Sequence, residues 1–469
     1  MNLKSNKAIT LVALIITIII LLILAGVSLS MVLGDNGLIN KAQSSVDKYQ
    51  ESANKEQNML YSIEAYIEDK PHAADGTWDD IKQVNTPKLA NGMIPIKWNG
   101  TNWVITTGTD PDWYNYKTVG KNGTVANQWA NVMLSDGTYK ASSGLESLKG
   151  TVVQESELGS MFVWIPRYAY NIKSGYHTNT EGEIQIEFLK GTAKTSSQGN
   201  TFANINADGS INTSATGGNN KWLVHPAFLN NTDLGGWDRE LEGIWVAKFE
   251  ASSTNPSATD GGGDVTSTST STSTLNIKVL PNTISWRYIS EANIFTNCLS
   301  MKNTNNIYGL ATTSEPHEMK NSEWGAVAYL AHSKYGRNGI EITINDNSSW
   351  YTGGNNYASY VTQSTTGNIY GIYDIRGGAC EYVAAGLTDN VTSTFGSLTG
   401  FEEKYVNRYN DSSRDRTENY NANSGKYGDA IYETSNDGNT NTGSWHSDGS
   451  AFVSSSNPFF IRGWDFRWR

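Results

Sequence analysis

The chain begins with a long apolar stretch that predicts a transmembrane helix. No charged side chain occurs between Ala8 and Gly34, whereas two lysines lie just before the stretch and Asp35 follows it. A helix needs about 20 apolar residues to cross a bilayer, and positive charge stays on the cytoplasmic side. We therefore expect a membrane helix over 9–34, preceded by a short leader over 1–8, with the remainder of the chain outside the cell.

A second helix is predicted over 35–70, because its apolar positions form one face of an otherwise charged surface. These positions follow three- and four-residue spacing: Ile39, Ala42, Val46, Tyr49, Ala53, Leu60, Ile63 and Ile67. The face fits either packing against a globular domain or a short coiled-coil stalk. Pro71 ends the helix, since proline has no backbone N–H to continue it.

After Pro71 the pattern changes to short apolar runs that predict strands. Residues 71–150 form a small β-rich segment in which strands alternate with Gly/Asn turns. The runs GSMFVWIPRYAY (159–170) and IWVAKFEAS (244–252) predict two buried strands. Between them, residues 190–221 are rich in Ser, Thr, Asn and Gly, which predicts a long loop.

Helical spacing returns in two places after a polar insertion. The insertion, at about 253–275, has strict Thr/Ser alternation with no apolar face and is predicted to be flexible. Apolar stripes then predict helices within 285–302 and 321–336. Ser290 is a plausible N-cap of the first helix, and Gly336 supplies a stop for the second.

Composition narrows the class of protein. Charged residues make up only 17% of the chain, aromatic residues 11%, and the net charge is −11. This loop-rich, β-leaning composition is typical of an extracellular domain. Beyond the leader, no cluster of Lys and Arg with interleaved aromatic residues occurs. Nucleic acid is therefore not expected as a partner.

Side chains that could carry catalysis or hold a metal are scattered. The six histidines are His72, His177, His225, His317, His332 and His446. His317-Glu318 lacks the second histidine, one turn later, that a zinc-protease helix requires. Cys298 and Cys380 could form a disulfide outside the cell or remain two buried free thiols. We expect neither an enzyme nor a metal or other cofactor.

The junction between leader and apolar stretch, KAITLVA (7–13), resembles the class III signal of type IV pilins. The resemblance implies that a prepilin peptidase cuts after Ala8 and methylates the new amine of Ile9. In that family the fifth mature position is usually a glutamate, which is thought to pair with the terminal amine of a neighbouring subunit. This chain has Ala13 at that position.

Four blocks later in the chain resemble the formylglycine-generating enzyme / sulfatase-modifying-factor superfamily, in the same order. They are LPNTISWRYISEANIFTNC, EMKNSEWGAVAYLAHSKYG, GIYDIRGGACEYV and FFIRGWDF. The resemblance covers roughly 155–469 and implies an α+β fold of the C-type-lectin kind over 151–469, with mixed small sheets and long loops. The enzymes of the superfamily bind copper through two cysteines that follow the Arg-Gly turn. Here both cysteines precede Arg462.

The C-terminal segments are the predicted ligand-binding surface. They combine large aromatic faces with charged groups, which suits a ligand that is anchored by stacking and oriented by polar contacts. The residues are Trp445, His446, Asp448, Trp464, Asp465, Phe466, Arg467 and Trp468. The alternative is that the aromatic residues among them belong to the core.

These features predict a pilin-like, single-pass membrane protein of a Gram-positive bacterium that displays a lectin-fold domain outside the cell. Its expected role is that of an adhesin or variable receptor for a glycan or protein ligand. Its other expected partners are the membrane, a prepilin peptidase and, within a filament, other pilins. The alternative is a minor pilin or pseudopilin in filament assembly or secretion. An enzyme of the formylglycine-generating type ranks third.

Overall fold

The computed structural model describes most of the chain beyond residue 82. The described residues are 16, 83–116, 127–178, 182–253, 276–286, 289–343, 352–353, 356–379, 381–387, 398, 400–410, 415–431, 452–455 and 458–463. The chain divides into two compact units, 1–73 and 74–469. Within the described residues no helix has the length and apolar character to cross a bilayer. Apart from Ile16, the predicted helices over 9–34 and 35–70 lie outside the described residues.

Fourteen strands are described in the second unit. In chain order they are β1 Ile94–Trp98, β2 Trp103–Ile105, β3 Asn131–Met133, β4 Val152–Val153, β5 Met161–Pro166, β6 Tyr168–Ile172, β7 Ile184–Phe188, β8 Lys221–Val224, β9 Gly243–Ala247, β10 Ser252–Ser253, β11 Ile277–Lys278, β12 Glu381–Leu387, β13 Asn407–Tyr409 and β14 Phe459–Arg462. A six-stranded antiparallel sheet has the order β4-β2-β1-β3-β5-β9. This sheet takes strands from both sides of residue 150.

Three smaller sheets complete the described β-structure. β6 lies between β7 and β8 in an antiparallel sheet. β12 lies between β13, which is parallel to it, and β14, which is antiparallel. β10 and β11 form an antiparallel pair.

Four α-helices are described among these strands. They are α1 Leu145–Leu148, α2 Glu291–Ser300, α3 Asn321–His332 and α4 Arg416–Ala422. Short 3-10 helices occur at Ala141–Ser143, Glu155–Glu157, Pro226–Phe228, Thr232–Leu234, Val361–Gln363 and Glu403–Tyr405. The described chain therefore has the predicted α+β character, with helices and small, mostly antiparallel sheets.

A buried arginine marks the point where the chain passes from the large sheet to the sheet of β6, β7 and β8. β5 ends at Pro166, and Arg167 separates it from β6. The fully buried guanidinium donates to the carbonyl oxygens of Phe228 (2.6 Å) and Leu241 (3.0 Å) and pairs with Glu240 at 2.9 Å. These contacts fix the change in direction of the chain, because their loss would leave the buried guanidinium charge uncompensated.

Helix α3 lies at the centre of the domain, since all twelve of its residues are buried. The predicted single apolar stripe therefore accounts for only one of its sides. Elsewhere on the helix, hydrogen bonds connect it to its neighbours. The Tyr168 hydroxyl donates to the Ala326 carbonyl (2.6 Å), and the Ser322 N–H donates to Asn407 Oδ1 (2.7 Å). Small residues along the helix let neighbouring backbone approach closely.

Candidate functional site

Every residue of the predicted C-terminal binding surface lies outside the described residues, as do the predicted processing residues Ala8 and Ile9. The set outside comprises Trp445, His446, Asp448, Trp464, Asp465, Phe466, Arg467 and Trp468. Those assignments remain predictions. Cys380 also lies outside, and Cys298 carries a free thiol.

Arg462, in the described strand that precedes Trp464, is part of the core. Its side chain is fully buried, and its guanidinium lies 4.4 Å from the centre of the Trp324 ring. It donates to Asn321 Oδ1, at 2.7 Å from Nε, and to the Asp429 carbonyl oxygen. This arginine joins β14 to the start of α3.

A cleft of about 710 Å³ lies beside the sheet of β6, β7 and β8. Its walls come from these strands, from the loop after β7, and from the C-terminal end of α3 with the turn that follows. The lining residues are Asn171, Lys173, Gly182, Glu183, Ile184, Gln185, Ile186, Gln198, Asn200, Asn220, Trp222, His332, Lys334, Asn338 and Gly339. Six of these carry side-chain amides, so the cleft suits a ligand rich in hydrogen-bonding groups.

Three of the lining side chains form a row across the sheet. Asn171 of β6 pairs in register with Gln185 of β7 and with Trp222 of β8, so all three project from the same face. Asn171 Nδ2 donates to Gln185 Oε1 at 3.3 Å, whereas the buried Asn171 Oδ1 has no partner among the described residues. A buried acceptor without a donor is costly. A ligand with a hydroxyl or N–H group at this position would satisfy it.

The charges around the cleft favour an anionic or neutral ligand. Lys173 and Lys334 are exposed at its rim, and Glu183 is the one carboxylate among the lining residues that the structure describes. Burial lowers the pKa of His332 to about 4, so this imidazole is neutral at pH 7. Its Nε2 lies 3.2 Å from the Gly182 carbonyl oxygen and carries the proton of that hydrogen bond. In a chain of net charge −11, the cleft is locally positive.

One buried carboxylate holds the loop that forms part of the cleft wall. Glu187 of β7 is fully buried and accepts hydrogen bonds from the Ser196 hydroxyl, the Ser197 N–H and Asn200 Nδ2, each at 2.8 Å. The Gln198 N–H adds a longer bond at 3.3 Å. Loop residues 196–200 therefore keep their position although they contain no regular secondary structure.

We expect Glu187→Ala to loosen this loop, because its donors would lose their shared acceptor. The expected cost in the free energy of unfolding is about 1–3 kcal/mol. Hydrogen exchange at the Ser197 and Gln198 amides should accelerate, as measured by mass spectrometry on the full chain. Glu183→Ala, at an exposed position before the same strand, is the matched control and should leave these rates unchanged. Unchanged rates in the Glu187 variant would contradict the anchoring role.

A second group of buried acids lies away from the cleft. Glu291, at the start of α2, and Glu318, before α3, have facing carboxyl groups, and no other described donor reaches their oxygens. Burial raises the pKa of both carboxyls well above the usual range. Burial, together with these two carboxyls, also raises the pKa of the Cys298 thiol. Two negative charges cannot stay side by side in this environment, so the pair shares a proton.

Glu250 and Asp374 form a further buried acidic pair that shapes a turn. Glu250 accepts from the Ser285 hydroxyl and from the Ala379 N–H (2.7 Å), and Asp374 Oδ2 accepts from the Gly353 N–H (2.5 Å). Burial raises the pKa of Asp374 to about 7. Gly378 has φ +65°, and a Cβ on it would lie 2.4 Å from Glu250 Oε1, so glycine is required there. No three His, Cys, Asp or Glu side chains in the described ranges are arranged to hold a metal ion.

A charged cluster also stabilises the start of α3. Lys320 lies 4.6 Å from the centre of the Trp237 ring, and burial lowers its pKa to about 8. Although burial alone would raise it, the adjacent His317 and Lys320 lower the pKa of Glu323 to about 2. His317 Nε2 lies 2.9 Å from Glu323 Oε2, and its Nδ1 lies 2.7 Å from the Glu315 carbonyl oxygen. Both ring nitrogens are thus engaged within the protein.

Sequence reasoning missed the cleft because its residues come together only through strand register. The usable signal was the recurrence of polar residues at every second position of short apolar strands, as at Gln185 and Glu187 in IQIEF. The predicted loop 190–221 was a second signal, since it borders the cleft. A comparison with protein-family models gives no match for this chain, and a comparison with curated proteins gives none either.

Proposed function

We propose that this chain is a binding protein of the cell surface and that the cleft beside β7 is its ligand site. The proposal keeps the pilin-like processing signal, the membrane helix over 9–34 and the C-type-lectin-like fold of 151–469 as its framework. It moves the principal binding site from the C-terminal aromatic segments to the cleft. The α+β character of the domain and the polar lining of the cleft support it.

The unpartnered Asn171 Oδ1 is the observation that carries this proposal. This buried oxygen belongs to a side chain that lines the cleft, and the half-buried Trp222 lies beside Asn171 in the same row. Amide groups that fix orientation beside an aromatic surface are typical of ligand sites. A ligand donor at Asn171 would remove the cost of burying that oxygen without a partner.

Binding suits the cleft better than catalysis. His332 is buried, and its Nε2 is engaged with Gly182, so it is poorly placed to exchange protons with a substrate. The carboxylate of Glu183, which also lines the cleft, accepts a hydrogen bond from Gln185 Nε2 at 3.0 Å. Among the described lining residues no nucleophile is paired with a general base, which acyl transfer requires.

The binding function is tested with two probes on the full-length chain in detergent, a random peptide library displayed on phage and a glycan array. Ligands recovered with either probe should lose affinity about tenfold or more in Asn171→Leu, because one buried hydrogen bond is removed. Leucine has a similar volume, so the melting temperature should be kept or rise.

The matched control is Asn421→Leu, the same chemical change at an exposed position of α4. It should leave affinity unchanged. Ligands whose affinity is the same in both variants bind elsewhere and would contradict the assignment of the cleft. If neither probe yields a ligand, the proposed function itself is contradicted.

A further inference from the structure

Strand β7 has one edge that faces β6 and one edge that faces the cleft. The hydrogen bonds that extend the β6–β7 ladder run from the Lys173 N–H to the Glu183 carbonyl (2.9 Å) and from the Leu189 N–H to the Arg167 carbonyl (3.1 Å). In an antiparallel pair, such bonds involve every second residue. The peptide groups of Glu183, Gln185 and Glu187 therefore point towards β6.

The intervening residues, Ile184 and Ile186, direct their peptide groups away from β6. Gly182 shows the same outward direction, because its carbonyl oxygen is bound by His332 Nε2. In the part of the chain that the structure describes, no hydrogen bond uses the outward N–H and C=O groups of Ile184 or Ile186. β7 is also the outermost strand of its sheet, in the order β7-β6-β8. Among the described residues, the edge thus presents two N–H and two C=O groups without partners.

The cleft follows this edge. Its lining includes five consecutive residues, Gly182–Ile186, and then residues on either side of the strand. On one side lie the amide row and loop 196–200. On the other side lie His332, Lys334 and Asn338 at the end of α3. A strand added beside β7 would place its backbone against the edge and its side chains alternately on these two sides.

We propose that the cleft binds an extended segment of a partner polypeptide, which joins the sheet as a fourth strand beside β7; this inference rests on the proposed function. Edge addition of this kind obtains affinity from main-chain hydrogen bonds and specificity from the pockets for alternate side chains. The outward groups of Ile184 and Ile186 are spaced about 6.8 Å apart, which matches the repeat of a partner strand. A sugar ring has no such linear repeat.

The two sides of the cleft set the chemistry of the bound segment. Facing the amide row, a hydroxyl or amide side chain would supply the donor that Asn171 Oδ1 lacks. Facing the end of α3, the intervening side chains would lie beside Lys334 and Asn338. The ligand is therefore an extended segment in which Ser, Thr, Asn or Gln occupies every second position.

N-methylation of peptides selected from the random library tests the strand geometry on the unaltered full-length protein. An N-methyl group removes one backbone donor without changing any side chain. Peptides methylated where the backbone N–H faces β7, at every second position, should lose affinity about tenfold or more. Peptides methylated at the intervening positions should keep their affinity. The intervening positions are the matched control. Equal effects at adjacent positions would overturn strand addition.

Ile184→Pro tests the same contact from the protein side. The Ile184 N–H takes no part in the ladder with β6, so proline at this edge position removes the outward donor while the sheet bonds remain. Peptide affinity should fall about tenfold or more, with the far-ultraviolet circular dichroism unchanged. If the variant does not fold, the N-methylated peptides alone test the strand geometry.

The glycan array separates the two proposals. Glycans that bind in an Asn171-dependent manner, with no peptide selected, would overturn strand addition and leave the binding function standing. A failure of both probes would overturn both proposals.

Discussion

Glu318→Gln is expected to stabilise the protein at pH 8 by about 1–3 kcal/mol and to have no effect near pH 4. In the folded state the pKa of Glu318 is raised well above its usual range by burial, whereas in the unfolded chain it is about 4.3. Between these values the folded state binds more protons, so stability falls as pH rises, by about 1.4 kcal/mol per pH unit for each such group. Glutamine cannot ionise, and its amide can donate to Glu291.

Urea unfolding of the full chain between pH 4 and pH 8 measures this effect. The difference between the variant and the unaltered protein isolates Glu318, because Asp374 (pKa about 7) acts with the same sign and His332 (pKa about 4) with the opposite sign in both proteins. The control is Glu146→Gln at an exposed position of α1, which should follow the unaltered curve. A loss of stability in Glu318→Gln at pH 8 would contradict the shared proton between Glu291 and Glu318.

Gly325→Ala is expected to destabilise the protein by about 3 kcal/mol. In an isolated helix alanine would be favoured over glycine by about 1 kcal/mol. In α3, however, a Cβ on Gly325 would lie 2.1 Å from the Gly428 carbonyl oxygen and 2.8 Å from Asp429 Cα. Both are backbone atoms that cannot turn away, so α3 and the segment 428–429 must separate. The bond between the Ala430 N–H and the Tyr329 hydroxyl, 3.1 Å long, would stretch with them.

Thermal unfolding compares this variant with Gly425→Ala. A Cβ on Gly425 would meet no atom within 4 Å. The free energy of unfolding of Gly425→Ala should change by no more than about 0.5 kcal/mol, as for a neutral surface substitution. A similar result for both variants would show that the α3 contact adjusts without cost and would contradict the close packing described for this helix.

The main elements of the domain could be predicted from the sequence because their apolar pattern is local. The run 159–170 predicted one buried strand that stops at Pro166, which the structure confirms as β5, and the stripe within 321–336 predicted α3. The second strand, β6, was not predicted, since the contacts that hold Arg167 between the two strands, to Phe228 and Leu241, come from much later in the chain. Ser290 does precede α2, yet its side chain makes no capping hydrogen bond.

The cleft could not be predicted by the same reasoning. Asn171 occurs within the apolar run YAYNI, and nothing local shows which face of the sheet it occupies. Its neighbours in the row, Gln185 and Trp222, are fixed by sheet register. The composition of 190–221 correctly indicated a loop, but the buried anchor of that loop, Glu187, precedes it inside a strand.

The central position of α3 has a consequence for how the domain acquires its structure. The contacts that bury this helix join residues far apart in the chain: Tyr168 and Ala326 are separated by 158 positions, and Tyr329 and Ala430 by 101. Closing such long loops costs entropy before any contact compensates for it, so folding is expected to be slow, in the range of milliseconds to seconds. Because these distant segments all pack on one helix, a change that displaces α3 should destabilise them together.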